Sequence, residues 1–209
     1  DNVETLEITL EDKLINTSIM LSYSIYEDYS AITRNVKFIN SGSDEINIES
    51  AMSVAIDFPS SDDVMTPLSG AWSRERYIYE RELVRGITVI DSKRGTSSAT
   101  NNPFISLKSK NTTEKNGEIY GFSLVYSGNF SAIVEVDQND VTRVNMGINH
   151  FDFNWSLKEN ENFQTPEIIM VYSSNGINGM SQTFHNIFNN NIIRGKYKNK
   201  SRSVLINNW

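Results

Sequence analysis

The chain has 209 residues, of which 38% are hydrophobic, and it carries a formal net charge of −7 and no cysteine. This length accommodates one domain, or one domain with a fragment of another, and the acidic charge argues against nucleic acid as a partner, because binding a phosphate backbone needs a concentrated basic face. The lack of cysteine excludes disulfides and thiolate metal sites and fits a reducing, cytoplasmic location, and no apolar run approaches the roughly 20 residues that cross a bilayer, so no membrane contact is expected.

Alternating apolar and polar residues predict strands along most of the chain. In the first set Ile19, Leu21, Tyr23 and Ile25 lie on one face, with Ser18, Ser22 and Ser24 among the residues opposite, as a half-buried strand requires. The same period of two recurs in four further sets: Ile46, Ile48, Met52, Val54 and Ile56; Tyr120, Phe122, Leu124 and Tyr126; Val144, Met146 and Ile148; and Phe151, Phe153, Trp155 and Leu157. Clusters of Gly, Asn, Asp and Ser separate the strands, which predicts antiparallel neighbours in stacked sheets.

The segment from Thr66 to Phe104 keeps neither the strand period nor the helical period for long. We expect a long, elaborated loop there, and loops of that length inside a compact domain are usually functional or ordered by a partner. Within it, Trp72 is surrounded by glycine, arginine and glutamate. An indole can stack on the apolar face of a sugar while charged groups bond its hydroxyls; the alternative is a core tryptophan flanked by solvated charges.

Helical spacing is found near the end of the sequence. The residues on its apolar face are Met180, Phe184, Ile187, Phe188 and Ile192. Asn178 is the candidate N-cap of this predicted helix. After a basic stretch, the apolar run Val204 to Ile206 predicts a buried strand of a parallel sheet, which belongs to a second domain. The start without Met and the stop close to an apolar run indicate a longer natural protein.

A series of motifs resembles one known family. They are Gly70-Ala71-Trp72-Ser73-Arg74-Glu75-Arg76, Arg94-Gly95-Thr96-Ser97-Ser98 with Asn102-Pro103-Phe104, the run from Gly121 to Phe130, Gly147-Ile148-Asn149, the run from Phe163 to Glu167, and the run from Gly179 to His185. In this order they resemble the N-terminal part of bacterial α-galactosidases of glycoside hydrolase family 36, over essentially the whole chain. The sequence departs from the family at Ala99 and Asn101, where histidines are usual.

The resemblance implies a mainly β fold within a larger enzyme. Residues 1–178 would form an antiparallel β-supersandwich, like that of galactose mutarotase, without its first strands. Residues 179–200 would form a linker helix, and residues 201–209 would form the first strand of a truncated (β/α)8 barrel. The implied parent is a homo-oligomer, a tetramer, that hydrolyses terminal α-linked galactose from oligosaccharides such as melibiose and raffinose with retention. Both catalytic aspartates lie beyond this chain, so it is expected to be inactive and to need no cofactor.

Two tryptophans are the predicted substrate-binding residues. The resemblance brings the loop of Trp72 to the barrel mouth, and it makes Trp209 a substrate contact at the C-terminal end of the barrel strand, where barrel enzymes place their site residues. Arg74 and Arg76 are expected instead to join a surface ion-pair network with Glu75, Glu80 or Glu82. A stand-alone carbohydrate-binding domain or a structural oligomerisation domain is the alternative function.

The remaining polar candidates have structural interpretations. Arg94 and Asn102 are expected to hold the long loop through hydrogen bonds to the backbone. Asp62 and Asp63 are predicted to lie in a solvated turn rather than to form a metal site or an acid–base pair, because neighbouring side chains in an extended segment point in opposite directions. His185 is predicted to pack within the helix, and the sequence's two histidines are too few and too far apart for a metal site.

Overall fold

The structure, a computed structural model, describes residues 2–208. In chain order the strands are β1 Val3–Asp12, β2 Thr17–Tyr26, β3 Ala31–Asn40, β4 Ile46–Ile48, β5 Met52–Phe58, β6 Val64–Ala71, β7 Arg74–Ile78, β8 Arg81–Glu82, β9 Gly86–Asp91, β10 Asn101–Lys108, β11 Ile119–Leu124, β12 Phe130–Val136, β13 Thr142–Ile148, β14 Trp155–Leu157, β15 Asn162–Gln164 and β16 Ile168–Ser173. An α-helix, α1 Gly176–Ile187, follows them and runs into a π-helical turn, Phe188–Ile192.

A large sheet and a small sheet form a sandwich. The large sheet has the order β1-β2-β3-β16-β11-β10-β6-β7, with β15 beside β3 and β8 beside β6, and the small sheet has the order β5-β13-β12-β9. Alternate side chains of the two sheets fill the space between them: Phe122 and Leu124 from β11 meet Phe130 and Met146 from the small sheet, each at most 2% exposed. The strand pairings are antiparallel, which confirms the predicted mainly β fold.

The other face of the large sheet carries α1. Met180, Phe184 and Ile187 point towards the strands and are at most 5% exposed. Gly121 makes this close approach possible, because a Cβ there would lie 2.6 Å from both the Met180 sulfur and the Phe184 ring. A 12-residue helix is marginal on its own, so this packing is what stabilises it.

The N-cap is Asn175, three residues before the predicted cap, so Asn178 lies inside the helix. No side-chain hydrogen bond caps the helix. The amides of Ile177 and Asn178 instead donate to the backbone carbonyls of Thr113 and Glu114, at 3.1 and 2.9 Å. Tertiary contacts thus replace the local cap that the sequence pattern assumed. The helical part ends at residue 192, short of the predicted residue 200.

Two alternating sets do not each form one strand. The set that starts at Ile46 is divided between β4 and β5, which pair in different sheets, and of the set that starts at Phe151 only residues 155–157 form a strand. Residues 49–51 and 151–154 form bends, turns or irregular structure, so the alternation in sequence there does not correspond to a continuous strand.

The predicted loop from Thr66 to Phe104 is wrong in part, because most of it is strand: β6 to β9 and the start of β10 lie there. β7 and β8 are exposed along their whole length, and the β6–β7 pairing contains a bulge between Ser69 and Ala71. Edge strands exposed on both faces have no period of two to detect, and a bulge shifts the period where one exists.

The predicted buried strand at Val204 to Ile206 is not formed in the described residues. Residues 203–208 have no regular structure, and Val204, Leu205 and Ile206 are 93%, 91% and 85% exposed. A strand of a parallel sheet needs a neighbouring strand to pair with and layers that cover both faces, and residues 2–208 supply no paired strand at this position.

Candidate functional site

Trp72 lies at the tip of the β6–β7 hairpin. Ala71 pairs with Arg74, so Trp72 and Ser73 form a two-residue turn, in which Ser73 has a φ of +66°. Gly70 is required at the base of the turn, because a Cβ there would lie 2.2 Å from the Arg74 carbonyl oxygen. Trp72 is 86% exposed. The indole is therefore displayed to solvent on a paired turn, which rules out the core alternative for this side chain within residues 2–208.

The charged residues beside the tryptophan do not form the predicted network. Arg74 and Arg76 are exposed, and neither pairs with a carboxylate of residues 2–208. Glu75 accepts a hydrogen bond from the Ser73 amide at 3.0 Å, and Glu80 pairs with a buried lysine of β10 at 2.7 Å. Because these carboxylates have other partners, both guanidinium groups can bond the hydroxyls or carboxylates of another molecule.

The segment between β9 and β10 is held by hydrogen bonds. Asn102 Nδ2 donates to a β6 carbonyl oxygen at 3.2 Å, which is the scaffold role expected of it. Arg94 Nη1 donates to Thr100 Oγ1 at 3.1 Å, so its partner is a side chain rather than the expected backbone. Asn101 Nδ2 donates to the Asp91 carbonyl oxygen at 2.9 Å. These bonds fix the strand beside β6 and hence the base of the Trp72 hairpin.

A cleft of about 580 Å³ opens between α1 and the strands β6, β7, β10 and β11. Arg76 and His185, both exposed, line it together with apolar side chains such as Phe104 and Phe184. Thr66 also lines it; its Oγ1 is buried without a hydrogen-bond partner. No Asp or Glu of residues 2–208 lines the cleft, so its described walls provide no carboxylate for acid–base catalysis. Motif matching did not find this cleft, because its walls come from distant segments.

Asp62 and Asp63 differ in environment. Asp62 is exposed and accepts a hydrogen bond from Ser60 Oγ at 3.1 Å, as a solvated turn requires. Asp63 is half-buried: burial first, and then the charges of Asp62 and Glu118, raise its pKa above the ordinary value of 3.8. Among residues 2–208, no three His, Asp or Glu side chains are arranged to hold a metal ion.

His185 is exposed, which corrects its predicted packing role. Phe184 takes the buried position, and the next residue is rotated by about 100° around the helix, away from the sheet. Trp209, the second predicted substrate contact, lies outside the described residues. No helix of residues 2–208 is long and apolar enough to cross a membrane.

Comparison with known proteins gives matches over the whole chain. Residues 1–158 match the model of the glycosyl hydrolase family 36 N-terminal domain, and residues 162–209 match the melibiase model. α-Galactosidase AgaA of Geobacillus stearothermophilus is 50% identical over 206 residues, which are 99% of this chain and 28% of that protein. A probable α-galactosidase C of Aspergillus terreus is 39% identical over 209 residues. Since fungal proteins match as well, the similarity does not establish the expected bacterial source.

Solved structures of relatives share the fold. Crystal structures of AgaA variants in complex with stachyose and with raffinose match with a TM-score of 0.96, over 99% of this chain and 29% of each solved chain. The α-galactosidase from Lactobacillus brevis matches with a TM-score of 0.97 at 37% identity, over 100% of this chain and 28% of that chain. The chain thus spans less than a third of these relatives. Because the N-terminal family model covers most of its residues, the chain belongs to glycosyl hydrolase family 36.

Proposed function

We propose that this chain is the non-catalytic N-terminal region of a retaining α-galactosidase that removes terminal α-linked galactose from oligosaccharides such as melibiose and raffinose. One observation above the others supports the proposal: the chain resembles α-galactosidases along its whole length, in sequence and in fold. AgaA variants have been solved with stachyose and with raffinose bound, which favours galactosides of this kind as substrates.

The non-catalytic role is supported by the distribution of carboxylates. Retaining hydrolysis uses two carboxyl groups about 5–5.5 Å apart that flank the scissile bond. No Asp or Glu of residues 2–208 lines the cleft beside α1, or a second groove of about 390 Å³ between the β2–β3 turn and β5. The catalytic pair therefore belongs to a part of the parent outside this chain.

Trp72 lies at the rim of the galactose pocket in the parent. Its indole is 86% exposed on a hairpin whose base is fixed by Gly70 and by the hydrogen bonds of Asn101 and Asn102. A flat ring presented in this way can stack on the apolar face of a pyranose, and a neighbouring guanidinium such as that of Arg74 can bond its hydroxyls. Trp209 is the second proposed contact, on the resemblance alone.

The test is hydrolysis of a chromogenic α-galactoside by the parent and by the 209-residue chain. Trp72→Ala in the parent should lower kcat/KM about tenfold, which corresponds to about 1.4 kcal/mol of lost transition-state stabilisation. Val84→Ala, at a residue that is 69% exposed, is the matched control and should leave kcat/KM unchanged. The 209-residue chain should be inactive. Activity in that chain, or a parent indifferent to Trp72→Ala, would contradict the proposal.

The parent is further proposed to be a homo-oligomer, a tetramer. This is supported by the apolar side chains that β1 and β2 expose, among which Leu6, Leu10 and Ile25 are each at least 50% exposed. Contiguous exposed apolar surface marks interaction sites. The mass of the parent in solution tests it, and a monomer at all concentrations would contradict it.

A further inference from the structure

Phe151 presents a second exposed aromatic ring, apart from the Trp72 hairpin. The ring is 52% exposed, and the Lys93 ammonium group lies 5.4 Å from its centre. Lys93 Nζ is also 3.4 Å from Asp91 Oδ2. We call Asp91, Lys93 and Phe151 the platform. It combines a flat apolar ring, a cation and a carboxylate, each of them partly open to solvent.

A buried asparagine holds the platform in place. Asn149 is 1% exposed, and its Oδ1 accepts a hydrogen bond from the Phe151 amide at 3.0 Å, which fixes the turn that carries the ring. Its Nδ2 lies 3.2 Å from Asp91 Oδ2, and also 3.2 Å from the carbonyl oxygens of Ser92 and Phe130. One side chain therefore orients both the ring and the carboxylate, so a ligand would find them already ordered.

Asn101 connects the platform to the Trp72 hairpin. Its Oδ1 accepts a hydrogen bond from Ser69 Oγ at 2.8 Å, and Ser69 lies three residues before Trp72. Its Nδ2 donates to the Asp91 carbonyl oxygen at 2.9 Å. Because a single side chain bonds both the base of the hairpin and a residue of the platform, the two exposed rings stand at the same end of the sandwich.

The composition of the platform fits a neutral ligand that is rich in hydroxyl groups. An aromatic ring can stack on the apolar face of a pyranose, while a carboxylate accepts hydrogen bonds from its hydroxyls and an ammonium group donates to them. Asp91 and Lys93 have opposite charges, and so do the next charged residues along the chain, Arg94 and Asp152. The platform therefore has no excess charge to attract a phosphate or another small ion.

We propose that the platform is a subsite for a sugar unit of the substrate beyond the terminal galactose. Under the function proposed above, the terminal galactose enters the pocket that has Trp72 at its rim. A substrate of three or four sugars extends out of that pocket, and the platform lies beside the Trp72 hairpin at the same end of the sandwich. The identity of the substrate rests on the proposed function, whereas the chemistry that recognises a sugar at Phe151 does not.

The subsite would act on binding rather than on the chemical step. Contacts to a sugar unit that does not react are made equally in the ground state and in the transition state. Their loss therefore raises KM and leaves kcat nearly unchanged. The preference of the parent for longer over shorter galactosides should accordingly depend on the platform.

The first test compares two substrates of the parent. Raffinose has sugar units beyond its terminal galactose, whereas α-galactosyl fluoride has none. Phe151→Ala should raise the ratio of the KM for raffinose to the KM for the fluoride about tenfold, because only raffinose loses a stacked unit. An equal change in both KM values would give Phe151 a structural role and overturn the subsite.

Matched variants separate the flat ring from the bulk of the side chain. Phe151→Tyr keeps the ring and should hold the KM ratio within about twofold of the wild-type ratio, whereas Phe151→Leu is apolar without a ring and should raise it. Ile87→Ala is the control, because Ile87 is 66% exposed at the opposite end of β9 from Asp91. A wild-type ratio in Phe151→Leu would show that no sugar stacks on this ring, and the proposal would fail.

Binding to the 209-residue chain gives a measurement that needs no activity. Saturation-transfer NMR should show raffinose in contact with the wild-type chain and with Ile87→Ala, and the signal should be lost in Phe151→Ala. A wild-type chain without saturation transfer to raffinose, or a signal that withstands Phe151→Ala, would overturn the subsite.

The subsite and the proposed function can fail separately. Raffinose contact that depends on Phe151, together with a parent that does not hydrolyse α-galactosides, would leave the sugar site standing and overturn the function. An active parent in which the KM ratio and the raffinose contact both withstand Phe151→Ala would overturn the subsite and leave the function standing.

Discussion

Asp63 lies half-buried near Asp62 and Glu118, and burial is the first cause of its raised pKa. Because the folded state favours the protonated form, ionisation of Asp63 reduces stability at neutral pH. That reduction disappears as the pH falls from above the folded pKa to below the unfolded value. Asp63→Asn should therefore raise the midpoint of thermal unfolding at about pH 7 and have no effect at about pH 3. Asp62→Asn, at the exposed neighbour, is the control. A midpoint unchanged by Asp63→Asn at neutral pH would show that burial does not penalise this carboxylate.

Single-residue predictions succeeded where the cause was local. Asn102 bonds a backbone carbonyl, as its place in a polar loop indicated, and Asp62 is solvated. Asn178 was wrong as the cap, because carbonyl oxygens of a distant loop receive the first helical amides. His185 was wrong as a packing residue, because a pattern of apolar neighbours does not fix which helix positions face the sheet to within one residue.

At the scale of elements, α1 depends on Phe184, which is 5% exposed and lies 5.7 Å from the Phe104 ring and 5.9 Å from the Phe188 ring. Phe184→Ala should lower the free energy of unfolding by about 3–5 kcal/mol, through lost burial and the cavity left behind. Hydrogen exchange should show α1 losing protection before the small sheet does. Gln182→Ala, on the exposed side of the helix, should have little effect. Uniform loss of protection in both would mean that helix and sandwich unfold as one unit.

Strands could be predicted from the sequence where one face is covered and the other is not. β13 alternates because Val144 and Met146 pack in the sandwich core, whereas Arg143 on the outer face is exposed. β7 and β8 were not predicted as strands. Both of their faces are exposed, so apolar residues do not alternate with polar ones along them. Because β7 has no strand period, the sequence motif predicted only a functional loop around Trp72 and not the hairpin turn on which it lies.

At the scale of the whole molecule, the boundary between the two family models does not coincide with a boundary in the structure. The models meet between residues 158 and 162, but β16, Ile168–Ser173, pairs with β3 on one side and β11 on the other, in the middle of the large sheet. Its residues Ile168 and Ile169 are fully buried on opposite faces, one in the sandwich core and one under α1. The large sheet is therefore completed by β16, whose residues match the melibiase family model rather than the N-terminal domain model.

A chain cut at residue 158 should accordingly fail to fold. Without β16 the large sheet separates into β1-β2-β3 and β11-β10-β6-β7, and the inner edges of both pieces, with the core side chains of β11, become exposed. Residues 1–192 retain β16 and α1 and are the matched control. We expect cooperative thermal unfolding, followed by circular dichroism, for residues 1–192 and no cooperative transition for residues 1–158. If residues 1–158 unfolded cooperatively at the same temperature as the control, the small sheet and its contacts would be sufficient for the fold, and β16 would be an addition to a complete domain.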